Sequence, residues 1–130
     1  MLDTNVILSL AIFRSRTIQA VFDDIALHHE LLLCTYVIDE AREVIARKWP
    51  ARAGAFETFL QRASYEAIVT PLEFAAGLFD IRDPADYPVL YSAILAEADV
   101  LVTGDKDFGD VAVETPEILT SAAYAERYVR

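Results

Sequence analysis

Four places along the chain gather carboxylates where chemistry could be done: Asp3 in MLDTNVILS, Glu40 in DEAREV, Asp83 and Asp86 in RDPAD, and Asp105 and Asp107 in TGDKD. No histidine or cysteine accompanies these acids in sequence. Hard divalent cations take oxygen ligands, and magnesium in particular keeps several waters and uses a few carboxylates with substrate phosphate oxygens. Acids converging without nitrogen or sulfur donors suit such an ion better than zinc. The triplet Asp3-Thr4-Asn5 also interrupts an apolar run, and burying three polar residues is costly unless each is hydrogen-bonded or coordinates something. A strand ending at a site is the expectation there.

Each acid also has a plainer reading. Asp3 could cap the turn after a strand, Glu40 could be a solvated helix position, and Asp86, with Pro88 in the first turn of a helix, could be an N-cap. TGDKDF is harder to explain that way. Two acids two residues apart beside Gly104 concentrate charge past a buried strand, which destabilises unless a cation or hydrogen-bond donors offset it. His28 and His29 suit the end of a helix, where they complement its dipole on the surface. Cys34 lies in LLLC and reads as a small buried hydrophobe.

The elements that must carry these acids alternate. Ile18, Val21, Phe22, Ile25 and Ala26 give a helical stripe over TIQAVFDDIALHH, and LLLC is a short buried strand. Val37, Ala41, Val44, Ile45 and Lys48 mark a second helix, which WP at 49–50 ends because the residue before proline avoids helical geometry. Phe56, Phe59, Leu60 and Ala63 suggest a third. EAIVT (66–70) reads as a strand, PADYPVLYSAILAEA as a helix and DVLVTGD as a strand entering a polar turn. PEILTSAAYAERY has a proline start and helical spacing. The alternation predicts a three-layer α/β/α domain around a short, mainly parallel central sheet. Ligand sites in such sheets lie beyond the strand C-termini. Asp3 follows ML and Asp105 follows VLVTG, so both should project from one sheet edge if their strands are parallel neighbours.

With 130 residues and no linker, repeat or low-complexity tract, a single domain over 1–130 is expected. Hydrophobic residues make up 55%, yet no run approaches the roughly 18 apolar residues of a membrane span. There is no secretory-signal pattern, and the single cysteine forms no intrachain disulfide, so a soluble, cytoplasmic protein is expected. The 21 acids against 11 bases give a net charge of −10, which disfavours a broad basic surface for nucleic acid. Any such partner must be handled locally or through metal ions. From Asp80 to Glu117 there are ten acids and two bases, whereas Arg42, Arg47, Lys48 and Arg52 cluster in the first half.

DTNVILS at the start, DEAREVI, RDPAD before a helix and LVTGDKDF after a strand together resemble the PIN domain, in particular its VapC-like group, the toxins of toxin–antitoxin pairs. The resemblance covers nearly the whole chain, in order. It implies a Mg²⁺- or Mn²⁺-dependent endoribonuclease that hydrolyses single-stranded RNA, a cognate antitoxin partner and a homodimer. Position by position, Asp3 matches the first metal-binding acid, Asn5 the polar residue that orients it, Glu40 the helix acid, Asp86 the third acid and Asp105 the fourth. Asp107 matches an outer metal ligand and Thr103 the hydroxyl that bonds within the site. The chain departs from the family in two places. Only Met1 and Leu2 precede DTN, so either a very short first strand or a start upstream of Met1 is expected, and Asp86-Tyr87 stands where relatives often carry paired aspartates. Between the two acids of RDPAD, the helix start favours Asp86 as ligand and leaves Asp83 as a turn residue or a partner for Arg82.

Two other functions fit the acids alone. An aspartyl-phosphate phosphotransferase also places an aspartate after its first strand, but it generally has a second two residues later, and here that position is Asn5. The other is a non-catalytic module whose acidic edge recruits a basic partner.

Overall fold

Helices form where the apolar stripe and the caps agree. The structure, a computed structural model, describes residues 1–75, 77–81, 83–104, 108 and 111–129. Helix α1 (Thr4–Leu8) starts directly after Asp3 and runs into a π-helical turn, Ser9–Phe13. In α2 (Arg16–His28) Val21 and Ile25 are buried, and the Ser15 hydroxyl oxygen caps the helix by accepting from the Ile18 amide at 3.4 Å. Strand β1 (Leu32–Cys34) passes without a loop into α3 (Thr35–Lys48), which buries Val37, Ile38, Ala41 and Ile45 and stops at Trp49, ahead of Pro50. Helix α4 (Ala53–Arg62) buries Phe56 and Leu60.

Cys34 sits at the N-cap of α3 without a side-chain cap bond, and the cap comes from elsewhere. After β2 (Glu66–Ile68), the Thr70 hydroxyl oxygen accepts from the Tyr36 amide at 3.2 Å. In return the Thr35 hydroxyl oxygen accepts from the Thr70 amide at 2.9 Å. Thr70 is also hydrogen-bonded, at 3.0 Å, to Ser92 of α5 (Tyr87–Leu95), a helix whose residues Pro88 to Ala93 are all buried. These bonds tie the start of α3 to the loop after β2 and to α5. The orphan amides of a helix start are thereby partly satisfied across the fold.

Among the described residues every strand pairing is parallel. Strand β1 pairs with β2 in the register Leu32 to Glu66, and β3 (Val100–Thr103) pairs with β4 (Glu117–Thr120) in the register Val100 to Glu117. Met1–Asp3 runs along the other side of β3: Leu2 bridges Val102, the Val102 amide donates to the Met1 carbonyl at 2.9 Å and the Asp3 amide to the Val102 carbonyl at 3.1 Å. The short first strand therefore delivers Asp3 beside Thr103. Helix α6 (Ser121–Tyr128) packs on α2, where the Tyr124 hydroxyl donates to Asp24 at 2.6 Å. Leu33, Leu90, Leu101, Ile7 and Phe56 are buried in one continuous core. This is the α/β arrangement of short parallel strands and packed helices that the alternation predicts.

The C-terminal reading needs correction. The helical spacing read into PEILTSAAYAERY holds only from Ser121, because Glu117–Thr120 is strand β4 and Thr120 is the cap of α6, its hydroxyl oxygen accepting from the Ala123 amide at 3.0 Å. Ile118 and Leu119 serve sheet pairing, not the helix face. No helix among the described residues is long and apolar enough to cross a membrane.

Candidate metal centre

Asp3 has both a structural and a site-facing role. Its Oδ1 caps α1 by accepting from the Val6 amide at 2.9 Å, and its Oδ2 accepts a hydrogen bond from the Thr103 hydroxyl. Only 4% of Asp3 is exposed, so the carboxylate is held by those donors inside the core edge. The cap and the site readings of Asp3 are therefore compatible. Next to it, Thr4 is buried and its hydroxyl oxygen has no hydrogen-bond partner among the described residues. Asn5 is exposed, and the bonds to Asp3 just described come from Val6 and Thr103.

Glu40 lies one turn into the solvent side of α3 and meets two sets of neighbours. On one side it is hydrogen-bonded to Tyr36. Burial first, then the charge and hydrogen bond of Glu40, then the charges of Asp86 and Asp83, push the Tyr36 phenol up to about 12. On the other side Glu40 lines a cleft of about 530 Å³ with Thr4, Asn5 and Gly104. Tyr36 thus stands within the field of both Glu40 and the RDPAD acids, and Glu40 borders the cleft at the end of the first strand. Sequence reasoning missed Tyr36. Its one signal was its place four residues before Glu40, which puts both on one helix face.

The two aspartates of RDPAD differ in their surroundings. Asp83 is exposed and caps the 3₁₀ turn Pro84–Asp86, its Oδ1 accepting from the Ala85 amide at 2.9 Å. Asp86 is half-buried at the start of α5 and makes no side-chain cap bond there. Asp105 and Asp107, like Arg82, lie outside the described residues; Thr103 and Gly104 lead directly to them. Among the described residues no three His, Cys, Asp or Glu stand close enough together to hold one ion. Asp3, Glu40 and Asp86 are the described part of the expected set.

The donor chemistry fits a hard divalent cation. The groups on this side of the fold are carboxylates and hydroxyls, and after burial the charges of Glu40, Asp86 and Asp83 all act to raise the Tyr36 phenol. His29 lies elsewhere, 3.6 Å from Asp24 and edge-on to Tyr124 and Tyr128. Cys34 is buried, as expected.

A family model of the PIN domain matches residues 1–107. The chain belongs to the PIN-domain family. PIN domains are generally nucleases, and the match takes in Asp3, Glu40, Asp86, Asp105 and Asp107. A crystal structure of VapBC2 from Rickettsia felis bound to a DNA fragment from their promoter is similar in fold, with a TM-score of 0.70 over 92% of this chain and 96% of that chain at 15% identity. No curated protein matches the sequence significantly. Strand β4 and helix α6 of this PIN domain lie beyond the matched residues, although α6 covers part of α2.

Proposed function

We propose that this PIN domain is a Mg²⁺- or Mn²⁺-dependent endoribonuclease that hydrolyses single-stranded RNA and acts as a toxin restrained by an antitoxin protein. The observation that carries the reading is Asp3: a buried carboxylate at the end of a parallel strand, held by Thr103, beside a cleft that reaches Glu40. Asp3, Asp86 and Asp105 would hold the cation, with Asp107 as an outer ligand. Bound there, a divalent ion supplies a water of lowered pKa and offsets charge on the phosphoryl oxygens. Thr103 and the α1 cap fix the direction of the Asp3 carboxylate. Tyr36 keeps its proton, so its hydroxyl donates to Glu40, the remaining catalytic acid, and holds it at the edge of the cleft. Asn5 lines the same cleft and supports the substrate side of Asp3.

The antitoxin half draws on the similar VapBC2 complex. An acidic centre invites a partner that inserts an Arg or Lys among the carboxylates. A single domain over 1–130, a homodimer and a cytoplasmic location complete the proposal.

The test is a Mn²⁺ and Mg²⁺ titration with single-stranded RNA and with a phosphomonoester. Metal-dependent RNA cleavage that drops by orders of magnitude in Asp3→Asn is the expected result. Asn also caps helices well, so the variant should fold. Release of phosphate from the monoester with intact RNA would instead indicate a phosphotransferase, and no reaction with either substrate would overturn the enzymatic reading.

A further inference from the structure

We propose that the far end of the cleft is a subsite for one unpaired base and its phosphate, built from Phe13, Trp49 and Lys48; the inference rests on the ribonuclease reading and names where its substrate lies. Glu40, Val44 and Lys48 all line the cleft and sit four residues apart on one stripe of α3. At about 1.5 Å per residue, Lys48 stands about 12 Å from Glu40 along the helix. The same cleft thus begins at Thr4, Asn5, Gly104 and Glu40 and ends at an aromatic and cationic platform.

The platform leaves aromatic surface open to solvent. Phe13 is 61% exposed, although a phenyl ring of its size gains most when buried. It stands at the end of the π-helical turn, and the next residue, Arg14, takes a left-handed conformation with φ at 49°. Wide π turns and left-handed non-glycine residues are both disfavoured and tend to mark functional places. The ring meets Trp49 edge-to-face, with centroids 5.3 Å apart and planes at 90°, and in such a pair one ring keeps both faces uncovered by the other. Lys48 Nζ lies 5.9 Å from the centre of the Trp49 ring and forms no ion pair among the described residues. Nearby Arg42, by contrast, is taken up by Glu57 and Asp39.

Those three side chains match the chemistry of a single strand. Unpaired bases stack on aromatic rings without regard to sequence, and a lysine neutralises a backbone phosphate. On a chain of net charge −10, a lysine inside the cleft that forms no ion pair among the described residues gives a polyanion a local foothold. A duplex keeps its bases paired and offers none to stack, so the subsite selects single strands.

Trp49 is the sole tryptophan, so its fluorescence reports on the cleft directly. In EDTA, short single-stranded RNA should quench Trp49, whereas an abasic strand and a duplex should not. Phe13→Ala and Phe13→Leu should each weaken RNA binding about tenfold, and in Mn²⁺ should raise KM with little change in kcat. Lys48→Gln should lower the slope of log K against log salt by about 0.7. If wild-type protein cleaves RNA while both Phe13 variants keep its KM and quenching, the subsite is wrong and the nuclease reading stands. If RNA is never cut but quenches Trp49 in a Phe13-dependent way, the subsite stands and the nuclease reading falls. Equal quenching by duplex, or quenching only by an Arg-containing peptide, overturns the proposal.

Discussion

At the residue scale, Tyr36 offers a probe of the acidic centre that does not depend on catalysis. Its phenol is raised to about 12 by burial first and by Glu40 next. Glu40→Gln removes that charge, so Tyr36 should ionise closer to 10, seen as tyrosinate absorbance that is lost in Tyr36→Phe; an unmoved titration would place Glu40 away from it. The sign for stability follows. A phenol that stays protonated in the fold but ionises near 10 when unfolded contributes stability that is complete below pH 10 and lost as pH rises through 12. Asp83 and Asp86 are separable in the same way. Asp83→Ala removes a turn cap and should cost about 1 kcal/mol with cleavage retained, while Asp86→Ala should abolish Mn²⁺-dependent cleavage. The reverse pattern in denaturation and RNA assays would exchange their roles. The placement of Asp3 at a strand end was legible from DTN after an apolar start, and Thr103 beside it only through the resemblance of LVTGDKDF to the family. Tyr36, Phe13 and Trp49 were not, since a lone aromatic residue carries no spacing signal and WP at 49–50 speaks only of a helix end.

At the element scale, the mutual exchange between Thr35 and Thr70 explains how a helix that starts on a cysteine can hold Glu40 in place. Thr70→Val leaves the Tyr36 amide without its acceptor and breaks the contact with Ser92. A loss of about 1–2 kcal/mol is expected, read as a lower urea midpoint with unchanged slope. An unaltered midpoint would show that water replaces the threonine. This staple was invisible in the sequence because its halves are 35 residues apart. Helices α2, α3 and α4 were legible from periodicity and from WP at 49–50. The Pro116 segment misled because proline opens helices and strands alike, and only the pairing of Glu117–Thr120 with β3 decides between them.

At the scale of the whole molecule, the excess of acids links cation binding to stability. An ion that binds the folded chain alone stabilises it by about 2.7 kcal/mol at a hundred times its Kd. Calorimetry should therefore show Tm rising with Mn²⁺, and Asp3→Asn should remove most of the rise; an equal rise in both would mean that the ion binds elsewhere. The general architecture was legible because alternating short apolar runs and helical stripes leave few arrangements. The bond between Asp3 and Thr103 spans 100 residues of chain. During synthesis at about 5–20 residues per second, Asp3 waits about 5–20 s for the hydroxyl that holds it. A ribosome making this protein therefore carries an acid centre that lacks the Asp3–Thr103 bond until the second half of the chain has been made.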